Sequence, residues 1–135
     1  MKKLTVPVLL LVLALSLAAC GKPGPSAQIR ITMTDFAFSP DEFTVPAGQA
    51  ITFSAVHDGS VVHSFIIMNA GTDAGHKFDQ EDEANVYWST EIQPGEAETA
   101  VFQAPTQPGE YQVLCGMPGH LQAGMIGKLI VVAQQ

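Results

Sequence analysis

Cys115, His120 and Met125 are spaced C-x4-H-x4-M within CGMPGHLQAGM, residues 115–125. A thiol, an imidazole and a thioether so close together form a soft donor set. A solitary thiol in an exported domain is buried and inert, paired between chains, or bound to a metal. Taken singly, Met125 reads as core filler and Cys115 as a small buried hydrophobe. Taken together, between a strand ending YQVLC and one beginning IGKLIVV, they bring three donors to one rim of a hairpin. A histidine from a neighbouring strand completes a set of four, and His63 in VVHSF is the candidate.

One thiolate, two imidazoles and a weakly bound thioether are the ligands of a blue-copper electron-transfer site. Cu(II) favours imidazole nitrogen and Cu(I) favours soft sulfur, so a mixed set suits both states and little moves when an electron arrives. Zinc fits less well, because structural zinc sites use four Cys or His ligands. Of the other histidines, His57 lies near the turn Asp58-Gly59-Ser60 and is expected to be an exposed loop residue. His76 sits among acidic residues without ligand partners and is expected to be solvated.

These donors need a scaffold, and its signature begins at Gln28. Ile29, Ile31 and Met33 alternate with Arg30, Thr32 and Thr34, as in a strand with one wet face. Further strands are expected at 42–45, 50–56, 61–68, 97–104, 110–115 and 126–132. Pro46-Ala47-Gly48, Pro94-Gly95 and Pro108-Gly109 supply the turns between them. The pattern predicts an all-β chain folded as a two-sheet sandwich of about seven to eight strands. Tyr111, Val113 and Cys115 share one face of their strand, and His63, Phe65 and Ile67 one face of theirs; pointed inward, these faces bring His63 to Cys115. Residues 69–96 hold seven acidic residues and one lysine, with DQEDE at 79–83. They are expected to form an inserted, solvated excursion with at most a turn of helix near Asp79 to Asn85.

The N-terminus reads differently. MKKLTVPVLLLVLALSLAAC has two lysines, an apolar run and small residues leading to Cys20, the pattern of an export signal at 1–19. Leu17-Ala18-Ala19-Cys20 resembles the lipobox of bacterial lipoproteins, which implies lipidation of Cys20 and attachment to a membrane, with the domain in the periplasm or at the cell surface. Residues 20–28 then form a lipidated cysteine and a Gly/Pro-rich tether, and 29–135 the domain. With Cys20 lipidated, Cys115 has no disulfide partner within the chain, and a binuclear copper site bridged by two cysteines is excluded. Beyond residue 19 there are 4 basic residues against 13 acidic ones, a formal charge of −9. That balance argues against a nucleic-acid partner, which selects basic surfaces.

Three stretches together resemble the cupredoxins, the small blue-copper family of plastocyanin, azurin, auracyanin and rusticyanin. DEFTVPAGQAITF resembles the family's early strand, Pro/Gly turn and strand; VVHSF its first-ligand strand; PGEYQVLCGMPGHLQAGMIGKLIVV its second-ligand hairpin. The ligand spacing is most similar to the auracyanin and rusticyanin type. The resemblance implies a Greek-key β-sandwich, one type 1 copper held by His63, Cys115, His120 and Met125, and a monomeric carrier of single electrons with no catalytic role. It implies redox partners such as cytochromes or a membrane oxidase or reductase, which would dock on a collar of Met117, Pro118 and Leu121 around His120. Many relatives carry Asn after the first histidine; here it is Ser64, expected to hydrogen-bond across to the ligand loop. Backbone N–H groups of Ser64 and Met117 are expected to donate to the Cys115 sulfur. The competing reading is a protein that stores or delivers copper with the same ligands. A copper nitrite reductase needs a second copper in a multidomain assembly, and this chain has one domain and no spare histidine cluster.

Overall fold

The computed structural model describes residues 24–134. The expected signal segment and Cys20 lie outside them. Nine strands are formed: β1 (Gln28–Thr34), β2 (Ala37–Ser39), β3 (Glu42–Pro46), β4 (Ala50–His57), β5 (His63–Met68), β6 (Val86–Ile92), β7 (Ala97–Gln103), β8 (Gly109–Leu114) and β9 (Ile126–Val132). They make two sheets, one of four strands in the order β2-β1-β4-β7 and one of five in the order β3-β9-β8-β5-β6. β1 runs parallel to β4 and β3 parallel to β9, whereas the other pairs are antiparallel.

The period-two alternation of the sequence is what the sandwich buries. β1 sends Ile29, Ile31 and Met33 inward, and β4 sends in Ile51, Phe53, Ala55 and His57. They meet Phe65, Ile67, Tyr111, Val113 and Leu129 from the facing sheet. Each large aliphatic or aromatic side chain removed from water contributes about 1.5–3 kcal/mol before entropy is counted.

β5 departs from alternation because all six of its residues are buried. Its inner face joins the main core, while Ile66 and Met68 on its outer face pack with Leu114, Ala74 and Leu121, flanked by Phe78 and Val86. Part of the acidic stretch is therefore a cover over this sheet. A 3-10 turn spans Glu83–Asn85, within the short helical segment expected there. The expectation of an unstructured excursion over 69–96 is corrected at its end, where Val86–Ile92 is β6 and pairs along β5 from His63↔Ile92 to Met68↔Val86. As an edge strand, β6 is half-buried on one face and exposed on the other, and its apolar residues follow directly on the acidic run, which makes it faint in the sequence. β2 is similarly faint, at three residues with one buried, Phe38.

Candidate metal centre

β5 and β8 are neighbours, with Ile66 opposite Leu114 and Ile67 opposite Val113. This places His63, the first residue of β5, beside Cys115, which directly follows β8. The loop from 115 to 125 folds on itself. His120 N–H donates to Met117 O (3.0 Å), Ala123 N–H to Gly119 O (3.0 Å) and Gly124 N–H to Leu121 O (3.0 Å). Gly119 and Gly124 adopt φ of 85° and 95°, the left-handed region that glycine enters without steric cost. Two further bonds close the loop at its base: Cys115 N–H donates to Met125 O (3.1 Å) and Met125 N–H to His120 O (3.0 Å). The backbone of Met125 is thus tied to both other loop donors, and its side chain is fully buried.

The imidazoles of His63 and His120 both turn Nδ1 toward the Cys115 sulfur. His120 Nδ1 lies 3.3 Å from Sγ, His63 Nδ1 3.9 Å from Sγ, and the two Nδ1 atoms 3.1 Å from each other. His63 and Cys115 are fully buried and His120 half-buried. His63 Nε2–H donates to Asp35 Oδ1 at 2.9 Å, and in the neutral ring this leaves the lone pair on Nδ1. Electron-pair donors this close repel one another unless a proton or a cation stands between them. Two imidazole nitrogens and a cysteine sulfur, with a buried methionine in the same loop, match the preferences of copper better than those of zinc.

The sulfur is held from the β5 side. Ser64 N–H donates to it at 3.3 Å and Ser64 Oγ–H approaches at 3.8 Å, while Ser64 Oγ accepts from Gly116 N–H at 2.8 Å. Ser64 therefore bonds across to the ligand loop, as its position in the sequence suggested. Besides the two imidazole nitrogens, the groups that approach the sulfur are the amide and hydroxyl of Ser64. Met117, also expected to donate there, contributes instead the carbonyl that accepts from His120 N–H.

Three neighbours of the histidines were not foreseen. Asp35 follows β1 and His57 ends β4, and the parallel pairing of these strands, with Met33 opposite His57, carries both to the rim where β5 begins. Asp35 Oδ2 accepts from Ser60 N–H at 2.8 Å while Oδ1 takes His63. His57 is 1% exposed, not the loop residue expected from its nearby turn. Its Nδ1 accepts from Gly59 N–H (3.0 Å), its Nε2–H donates to Val61 O (2.8 Å), and its ring stacks on His63. Phe36, 40% exposed, sets its ring edge-on to His120 with centroids 4.6 Å apart. The expected collar of Met117, Pro118 and Leu121 is corrected at one position: Leu121 is buried in the outer cluster, whereas Met117 is half-buried and Pro118 exposed. His76 is exposed, in keeping with a solvated role.

Burial holds the His63 pKa below the ordinary imidazole range; the Asp35 hydrogen bond partly offsets this, and His57 and His120 disfavour further positive charge. Asp35 is held below the usual carboxylate range, chiefly by the Ser60 N–H, with the His63 hydrogen bond assisting. Their contact is a hydrogen bond from the His63 ring to a carboxylate, and in the neutral imidazole it leaves Nδ1 free to bind a metal.

Residues 7–131 match the model of the cupredoxin-like domain. The chain belongs to the cupredoxin-like family. It is 31% identical to a copper-resistant cuproprotein CopI of Rubrivivax gelatinosus over 82% of this chain and 72% of that protein. Among solved structures, this cupredoxin superposes on the auracyanin of the photosynthetic bacterium Roseiflexus castenholzii with a TM-score of 0.71 and 34% identity, covering 81% of this chain and 99% of the other. It also superposes on auracyanin A of Chloroflexus aurantiacus, a "blue" copper protein, with a TM-score of 0.64 and 28% identity over 81% of this chain and all of the other.

Proposed function

We propose that this cupredoxin is a blue-copper carrier of single electrons, with His63, Cys115 and His120 as the principal copper ligands and Met125 as a weaker thioether ligand. The observation that carries the reading is the convergence of Cys115 Sγ with Nδ1 of both histidines at 3.1–3.9 Å on a buried rim. Copper bound there supplies a Cu(II)/Cu(I) couple that exchanges one electron. The chain's own contribution is to hold its donors still. Asp35 and the His57 ring fix His63, Ser64 fixes the sulfur, and the base of the loop fixes His120 and Met125. His120, half-buried and edged by Phe36, is the ligand nearest solvent and the exit for the electron toward a docked redox protein, with Phe36, Met117 and Pro118 as the surrounding apolar surface. The chain transfers electrons and transforms no bound substrate.

Export, with a lipid on Cys20 holding the domain to a membrane, completes the proposal. Labelling with a radioactive fatty acid tests it, since Cys20→Ser should abolish incorporation.

The function is tested by adding Cu(II) to the purified protein. An intense visible charge-transfer band that bleaches with reductant and returns with oxidant is expected, and its absence, or its persistence in Cys115→Ser, defeats the reading. The similarity to CopI favours a second reading, copper storage or delivery. Rapid loss of metal from the reduced protein to a chelator or an apo-acceptor would select it.

A further inference from the structure

Every polar atom of the His57 and Asp35 side chains is committed, and the commitments converge on one ring. Asp35 is an acceptor at both oxygens, from His63 Nε2–H and from Ser60 N–H. His57 is locked by Gly59 N–H at one ring nitrogen and Val61 O at the other, which leaves its flat face for His63. The two rings lie 4.6 Å apart and 13° from parallel. The turn that supplies these groups is built tightly around them. A Cβ at Gly59 would run into the Asp35 carboxylate and lie 3.0 Å from His57 Cε1. Asp35 thus restrains His63 in the plane of its ring, His57 restrains it from one face, and the edge left open is Nδ1, aimed at Cys115 and His120.

We propose that Asp35 is a positioning residue for the metal centre, selecting the His63 tautomer that offers Nδ1 and making that nitrogen a stronger donor, with His57 as the backing plate that fixes the ring. The proposal rests on the reading of His63 as a metal ligand. A carboxylate accepting the second N–H of a ligating histidine fixes its orientation and raises its basicity, and its loss typically costs 10–100-fold in metal affinity. Its negative charge also favours the more highly charged ion. Asp35 therefore stabilises Cu(II) relative to Cu(I) and sets a lower potential than a neutral acceptor would. Asparagine cannot replace it. It has a single acceptor oxygen for two N–H groups, so either Ser60 keeps its partner and His63 faces an amide N–H, or the reverse.

The test uses the full chain in detergent. Nitrogen-15 NMR of the metal-free wild type should show His63 as one tautomer, protonated at Nε2; protonation at Nδ1 would overturn the proposal without any variant. In Asp35→Asn the tautomers should mix, and the Cu(II) affinity should fall about tenfold relative to the Cu(I) affinity, equivalent to a midpoint potential about 59 mV higher for one electron. An unchanged tautomer with an unchanged ratio of affinities in a folded Asp35→Asn would also overturn it. Failure of the electron-carrier reading is distinguishable, since the wild type would then give no charge-transfer band whatever the tautomer of His63.

Discussion

His57 lies flat against His63, the two imidazoles 13° from parallel, and both rings are buried. Removing the outer ring should therefore be felt in the fold as well as at the metal. His57→Ala leaves a cavity under His63 and strips Gly59 N–H and Val61 O of their partners. A loss of about 2–4 kcal/mol is expected. Urea unfolding of the metal-free protein checks it; an unchanged midpoint would mean the stack contributes nothing.

Ser64 does two jobs with one hydroxyl, accepting from Gly116 N–H and approaching the sulfur. Ser64→Ala retains the backbone N–H to Sγ and leaves the Gly116 N–H without its acceptor, at a cost of about 1–3 kcal/mol. The charge-transfer band should persist at a shifted energy, because the sulfur loses the weaker of its two donors. A spectrum identical to wild type would show that the hydroxyl does not reach the sulfur in solution.

Two glycines that flank the ligand hairpin should differ in their tolerance of a methyl group. At Gly116 a Cβ would meet Ile66 Cδ1 at 2.6 Å and Phe78 Cδ1 at 3.0 Å, which are side-chain atoms able to shift. At Gly127 it would meet the backbone oxygen of Asp41 at 2.6 Å, and that oxygen also accepts from Lys128 N–H. Both alanine variants are expected to lose about 1–3 kcal/mol, with Gly127→Ala the worse of the two. Comparing their melting temperatures decides it, and the reverse order would contradict the geometry.

Tyr111 is buried and donates its hydroxyl to Gln107 O at 2.6 Å, and burial raises its pKa above the ordinary value. The folded state therefore holds the phenol proton more tightly than the unfolded state does. Its contribution is fully present below the unfolded pKa of about 10 and is lost as pH climbs through the higher folded value. Denaturant midpoints measured on either side of about pH 10 should fall more steeply in wild type than in Tyr111→Phe. Equal slopes would show that the phenol is not shielded.

The proposed donor set was legible because most of it is local. Cys115, His120 and Met125 lie on one loop, and alternation along β5 and β8 was enough to point His63 at the sulfur. Asp35 and His57 were not legible for the opposite reason. They meet His63 through the parallel pairing of β1 with β4, a contact between distant segments that leaves no short motif, and the turn after His57 looks like that of a solvent-facing residue. β6 was hidden by composition. An edge strand half-buried on one side can carry Tyr87, Ser89 and Glu91 on the other, and it sits at the end of a run whose charge suggests solvent. Leu121 was misplaced because the cover provided by Ala74 and Phe78 follows from tertiary packing over β5, which local pattern does not show.

His63 and Ser64 are consecutive residues, and from the start of one strand they address the same sulfur, the first with a ring nitrogen and the second with its amide. Because neighbouring residues of a strand point to opposite faces, sliding β5 by a single step along β8 would put the Ser64 side chain where the His63 imidazole stands. In the proposed centre, metal uptake would thus double as proofreading of sheet assembly, since only a chain whose strands have settled in step can close the ring of donors.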